Sequence, residues 1–142
     1  IPTVVCNEYA TCLVTNTGDV LVFGYSIYGC LGVVEGCVFP PKKIPTLNNI
    51  KLVSLGTYHS AFLDYEGTVF TLGINKNGQL GVNVNEHDLP CTHIPQRVDL
   101  PPCKYVSCGK NFTICLTEIG ELYSFGFNNY GELGIGNNQC YG

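Results

Sequence analysis

The side chains able to do chemistry in this 142-residue sequence are His59, the trio His87, Cys91 and His93, and the thiols Cys108 and Cys115. His59 stands between Tyr58 and Ser60 at the start of an apolar run. A general acid or base needs partners within hydrogen-bond reach, and the spacing indicates none for it. His87, Cys91 and His93 fall in one polar stretch, with Glu86 or Asp88 as a further oxygen ligand. Zinc asks for four ligands at recognisable spacing, and only part of that pattern is present. No metal and no cofactor is therefore expected. Cys108 and Cys115 lie inside apolar runs, where a buried thiol is inert. Asn111-Phe112-Thr113 is a glycosylation sequon, which matters only in a secreted chain. Neither a Gly-x-Gly-x-x-Gly turn nor a phosphate-binding loop ending in Lys-Ser/Thr occurs. With no catalytic constellation, the chain is expected not to be an enzyme.

What must position these residues is a set of short strands. Hydrophobic residues make up 45 % and charged residues 13 % of the sequence, a balance that excludes a disordered polyelectrolyte. The net charge is −4, with Arg97 as the single arginine and Lys42-Lys43 as the densest basic spot. Binding to DNA or RNA draws on clustered Lys and Arg that displace counterions, so no direct nucleic-acid contact is expected from this segment. Nine cysteines show no C-x-x-C pair and no spacing that recurs. Cys12, Cys108 and Cys115 sit in apolar runs, and Cys30, Cys37, Cys91, Cys103 and Cys140 are read as lying in connections. Reduced thiols in a cytoplasmic or nuclear protein are the expectation. No apolar run is long enough to span a bilayer, so no membrane role is expected. The chain does not begin with Met, which leaves processing, or excision from something longer, open.

Three stretches of equal length align without a gap, starting at Val4, Val53 and Val106. Gly18, Gly67 and Gly120 coincide, as do Gly24, Gly73 and Gly126. So do Gly29, Gly78 and Gly131, then Gly32, Gly81 and Gly134, with Leu31, Leu80 and Leu133 beside them. Each unit reads as strand, turn, strand. Cys12-Leu13-Val14, Ala61-Phe62-Leu63 and Ile114-Cys115-Leu116 are short apolar runs expected to be buried on both faces. The first glycine column supplies the positive φ of a hairpin turn. The next strands are expected over 20–23, 69–72 and 122–125, rich in β-branched and aromatic residues. Asn75 and Asn128 share a place in the following tight loop, where an Asn side chain bonds nearby backbone, and Ser26 replaces them in the first unit. No stretch shows sustained helical periodicity.

The second unit, with Val53-Ser54-Leu55-Gly56-Thr57-Tyr58-His59-Ser60-Ala61-Phe62-Leu63, then Gly67 to Gly73 and Asn75-Lys76-Asn77-Gly78-Gln79-Leu80-Gly81, resembles the regulator of chromosome condensation repeat family. The third follows closely with Val106-Ser107-Cys108-Gly109 and Gly131-Glu132-Leu133-Gly134. The first departs from it: Asn7 replaces the early Gly and Ala10 the His. The resemblance implies an all-β fold, a β-propeller of antiparallel four-stranded blades, with about three repeats forming an incomplete ring. The units run over 4–52, 53–105 and 106–142. Three units are too few for a ring of that type, so further blades from the same chain, or an oligomer, are expected to complete it.

The resemblance gives His59 a structural role near the propeller centre, and Gly18, Gly24, Gly67, Gly73, Gly120 and Gly126 are read as turn and strand-end residues. The variable turns at Glu8-Tyr9, Thr57-Tyr58 and Lys110-Asn111 occupy equivalent places on one fixed scaffold, which is where such folds bind partners. They are the partner-binding candidates, and the two tyrosines suit either an interface anchor or packing between blades. The family serves as a protein–protein interaction scaffold in ubiquitin ligases, kinases and photoreceptors, and that is the expected function. The alternative is guanine-nucleotide exchange on a Ran-like small GTPase, so the partner is a protein, with a small GTPase among the candidates. Exchange in the family uses a protruding hairpin. Here the offsets between units are 49 residues (4 to 53) and 53 residues (53 to 106), and no extra hairpin is readable.

Overall fold

The computed structural model describes residues 3–26, 36–82, 91–131 and 133–134. Among the described residues every regular element is a strand. The first sheet holds β1 (Thr3–Cys6), β2 (Ala10–Val14), β3 (Val20–Ser26) and β4 (Gly36–Lys43) in that order. The second holds β5 (Ile50–Leu55), β6 (His59–Asp64), β7 (Val69–Ile74) and β8 (Cys91–Val98). The third holds β9 (Cys103–Cys108), β10 (Phe112–Thr117) and β11 (Leu122–Gly126). All neighbouring strands are antiparallel. Each sheet is one blade, and successive blades meet through their first two strands: β5 packs on β1 and β2, and β9 on β5 and β6.

Two apolar cores fill the two joints. Cys12, Val14, Val20 and Val22 of the first blade pack against Val53, Phe62 and Leu72 of the second. Ala61, Leu63 and Val69 of the second pack against Cys103, Val106, Cys115 and Phe125 of the third. The period of two along a strand explains the division. In β6, Phe62 points back to the first blade while Ala61 and Leu63 point on to the third.

The expectation that all three apolar runs are buried on both faces holds for β6 alone. β2 and β10 alternate between buried and half-buried. The reason is position in the stack. Val53 and Val106 are buried, but the equivalent Val4 faces away from the other blades and is 65 % exposed. Val20 and Val69 are buried, but the equivalent Leu122, on the far side of the third blade, is 70 % exposed. Cys37, Cys91 and Cys103, read as loop cysteines, belong to β4, β8 and β9, and Cys103 is a core residue. β4 and β8 lacked the alternation that marks a half-buried strand, since β4 carries Pro40 and Pro41 and β8 carries Pro95.

The glycine columns explain the tight ends. Gly24, Gly73 and Gly126 have φ between 113° and 117°. A Cβ on Gly73 would lie 2.5 Å from the Tyr58 carbonyl oxygen and 2.6 Å from the His59 Cα. The glycine lets the turn before β6 fold down onto β7, where the Ile74 N–H donates to the Tyr58 carbonyl at 3.0 Å. Gly29, Leu31 and Gly32 lie outside the described residues.

Candidate functional site

The three candidate turns lie at one end of the stack. Each opens with an N–H that donates across the turn: Asn7 to the Ala10 carbonyl, Gly56 to His59 and Gly109 to Phe112, at 2.8–3.0 Å. Each then accepts a bond from the end of the third strand: Tyr25 N–H to Tyr9, Ile74 N–H to Tyr58 and Phe127 N–H to Asn111, at 2.9–3.0 Å. The backbone of the turns is therefore fixed, and their side chains are carried at constant positions.

Glu8 and Lys110 are exposed, Tyr9 is 48 % exposed, and Thr57, Tyr58 and Asn111 are half-buried. The structure brings Tyr58 and Lys110 together across the joint of the second and third blades, the Lys110 Nζ standing 6.0 Å from the Tyr58 ring centre. That is the outer range of a cation–π contact. Tyr9 instead meets Tyr25 edge-on at 6.5 Å. Phe127 and Tyr130 form another aromatic pair at 6.1 Å, with Tyr130 89 % exposed. Tyr25, Phe127 and Tyr130 were missed in the sequence. The signal was available: Tyr25, Ile74 and Phe127 each follow the second glycine column directly.

His59 lies beneath this rim, fully buried. Its Nε2 is 2.8 Å from the Thr113 Oγ1, and that hydroxyl donates to the Gln79 carbonyl at 2.7 Å. Because the hydroxyl proton is committed to Gln79, His59 donates through Nε2–H, and Nδ1 is left as the unprotonated nitrogen. Burial lowers its pKa to about 4, against a smaller raising effect from the Phe112 backbone. A neutral buried imidazole bonded to a hydroxyl locks the second blade to the third. Among the described residues no carboxylate stands against it, so the geometry assembles no acid–base pair.

The first blade makes the same joint differently. A Cβ on Gly56 would collide with the Gly109 carbonyl oxygen and the His59 ring, and one on Gly109 with the Phe112 ring. The early glycine thus makes room for a large ring three residues later. In the first blade Ala10 removes the ring and Asn7 fills the vacated place. Its Oδ1 accepts from the N–H groups of Tyr9 and Ala10 at 2.9 Å, and its Nδ2 donates to the Gly56 carbonyl at 2.7 Å. The two departures of the first unit are one exchange, in which the joint-forming side chain moves from the His position to the Gly position.

Asn75 behaves as its position predicts, accepting from the Leu80 N–H at 3.0 Å, and Asn128 accepts from Leu133 at 2.9 Å. Burial pushes the Cys12 and Cys108 thiols up to about 12 and raises Cys115 further. Such thiols are not nucleophiles near neutral pH. His93 is exposed on β8, His87 lies outside the described residues, and nothing is described of the Cys91 side chain. Among the described residues no three metal-binding side chains gather, and no helix is long and apolar enough to cross a membrane.

The family description "Regulator of chromosome condensation (RCC1) repeat" matches residues 17–63 and 66–116, and a second description of the same repeat matches 50–79 and 103–132. The longer matches straddle blades, running from β3 and β4 of one into the first two strands of the next. The mouse serine/threonine-protein kinase Nek9 is 34 % identical over 95 % of this chain and 14 % of its own length. The mouse secretion-regulating guanine nucleotide exchange factor is 37 % identical over 86 % of this chain and 27 % of its own. The structure of Prp20p from Saccharomyces cerevisiae, described with its binding properties to Gsp1p and histones, superposes with a TM-score of 0.86 at 20 % identity, covering 98 % of this chain and 36 % of that one. The fold is that of the propeller, and the chain spans well under half the length of each of these proteins.

Proposed function

This chain belongs to the regulator of chromosome condensation (RCC1) repeat family, and from that premise we propose that it is a protein–protein interaction scaffold whose partner face is the end carrying Glu8-Tyr9, Thr57-Tyr58 and Lys110-Asn111. The observation that carries this reading is the division of side chains between the two ends. Tyr9, Tyr25, Tyr58, Phe127 and Tyr130 gather at the end of these turns, where the described charges are Glu8, Lys76 and Lys110. The turns of the opposite end hold Asp19, Asp64, Glu66, Asp99, Glu118 and Glu121, with Lys43 and Arg97 next to them and Tyr65 as their one aromatic residue among those described. Interface centres are enriched in aromatic residues and depleted of charge, which matches the first end and not the second. Related chains sit in proteins named as a kinase and as an exchange factor, so no one chemistry unites them, which supports a binding role for the repeats.

Exchange on a small GTPase is the second reading, favoured by the relative that is itself named an exchange factor. The repeat units 4–52, 53–105 and 106–142 supply three blades, and the open faces at Val4 and Leu122 call for further blades of the same kind. The buried thiols Cys12, Cys103 and Cys115 suit a reducing, cytoplasmic or nuclear setting. Capture of partner proteins by the unaltered protein, by Tyr58→Ala and by Tyr65→Ala tests the face. Loss of the captured species with Tyr58→Ala and not with Tyr65→Ala is expected, and the reverse overturns the choice of end. A nucleotide-release assay over a panel of small GTPases separates the two readings, since faster release establishes exchange.

A further inference from the structure

The first two blades follow one plan, yet they finish differently at the charged end. In the first, Lys43 of β4 pairs with Leu21 in register and forms an ion pair with Asp19 at 3.2 Å. In the second, Arg97 pairs with Phe70, the equivalent of Leu21, so Arg97 takes the Lys43 place and Thr68 the Asp19 place. The cation is kept and the carboxylate is lost. Among the described residues no carboxylate pairs with Arg97.

The strand connections differ too. Residues 44–49 leave the first blade with Ile44 and Leu47 buried in the core, closing its base. Residues 99–102 are two fewer, and Leu100 is only half-buried. The outcome is a cleft of about 190 Å³ bordered by Glu66, Gly67, Thr68, Arg97, Leu100 and Pro102, with Val98 at its wall.

We propose that this cleft is a carboxylate-binding site, taking an acidic side chain or a C-terminal carboxylate of a bound peptide. The first blade shows the chemistry from inside the same molecule: a carboxylate rests on the cation at this position. The guanidinium fork matches a planar carboxylate with two parallel N–H donors, which an ammonium cannot do. Thr68 borders the same cleft, and its hydroxyl can serve as a further donor. Arg97 itself is exposed, and Val98, Leu100 and Pro102 border the cleft on its apolar side. Glu66 at the rim repels an incoming anion and competes for the guanidinium, so it limits affinity. The cleft lies at the end opposite Tyr58 and Lys110 and does not depend on the partner face.

The test is an NMR titration of the isotope-labelled full chain, first with sodium acetate. N-acetyl-Leu-Glu-amide, N-acetyl-Leu-Gln-amide and N-acetyl-Leu-Ala with a free C-terminus follow. Saturable shifts at the Arg97 Nε–H and the Thr68 amide are expected with acetate and with at least one carboxylate peptide, at about tenfold higher affinity than for the Gln peptide. The Glu peptide and the free-terminus peptide distinguish the two carboxylate sources. Arg97→Gln is expected to abolish the response, and Thr68→Asp to abolish it by rebuilding the internal ion pair. Glu66→Gln is expected to tighten binding by about threefold. Absence of a saturable shift at Arg97 overturns the proposal, as does an equal response to the Gln peptide. An Arg97 signal that moves in Glu66→Gln without any gain in binding also overturns it, because Glu66 then fills the site. The acetate titration of the unaltered chain stands without any variant.

Discussion

The second blade and the two blades that flank it are built from one sequence plan and end in different environments. β6 is buried from His59 to Leu63, with one face given to each neighbour. β2 and β10 give one face to a neighbour and turn the other outward. Leu13, Phe62 and Cys115 are equivalent, yet Leu13 is half-buried and Phe62 fully buried. In a stack of blades, a side chain's worth is therefore set by whether a sheet lies on its side.

The largest break in that comparison comes from truncating equivalent side chains. Phe62→Ala is expected to cost about 3–5 kcal/mol, because it leaves a cavity in the first joint. Leu13→Ala, with no blade on its face among the described residues, is expected to cost less than about 1.5 kcal/mol. Urea denaturation of both variants checks this, and equal losses would contradict the account of the joints.

Next is acid. Burial holds the folded pKa of His59 down to about 4, against 6.5 for a free imidazole. The unfolded chain then takes up a proton that the folded chain refuses, so this contribution is complete above pH 6.5 and is lost as pH falls towards 4. The depressed pKa corresponds to about 3 kcal/mol across that window. His59→Phe, which copies the residue at position 112, is expected to flatten the slope. An unchanged dependence of the urea midpoint on pH would show that other groups govern it.

The glycine columns separate more finely. Gly73→Ala is expected to cost about 2–3 kcal/mol, since it adds a clash with the Tyr58 carbonyl to the strain of a φ of 113°. Gly120→Ala meets nothing within 4 Å and carries the strain alone, about 1 kcal/mol. Thermal melts of the two variants should rank them in that order. An effect between these two is expected at the joint of the first blade. Asn7→Ala removes the bond to Gly56 and the turn bonds, costing about 1–2 kcal/mol. Amide hydrogen exchange at Tyr9 and Ala10 should rise with it, and unchanged protection would refute the role given to Asn7.

Much of this was legible because glycine positions and short-range bonds are local. Gly18, Gly67 and Gly120 reported hairpin turns, and Asn75 and Asn128 reported loop bonds, from types and spacing alone. The turns of the proposed partner face were legible as equivalent positions but not as an aromatic rim, because Tyr25, Phe127 and Tyr130 join it only once the third strand returns to the same end. Asn7 read as decay of the repeat, since the exchange with Ala10 is visible only where Gly56 closes the joint. The Arg97 cleft was silent for the same reason: it depends on which two residues face each other diagonally across β7 and β8.

The sequence by itself determined the repeat, the strands, the hairpins and the family, since each follows from backbone preferences and period-two patterning within a few dozen residues. The tertiary structure decided which faces are buried, which of three equivalent positions locks a joint, and where a cation is left without its carboxylate. The joints depend on contacts between residues 49 to 54 positions apart, such as Asn7 with Gly56 and His59 with Thr113, and the unpaired cation on neighbours 24 to 29 apart, Asp19 with Lys43 and Thr68 with Arg97, and no local preference encodes them.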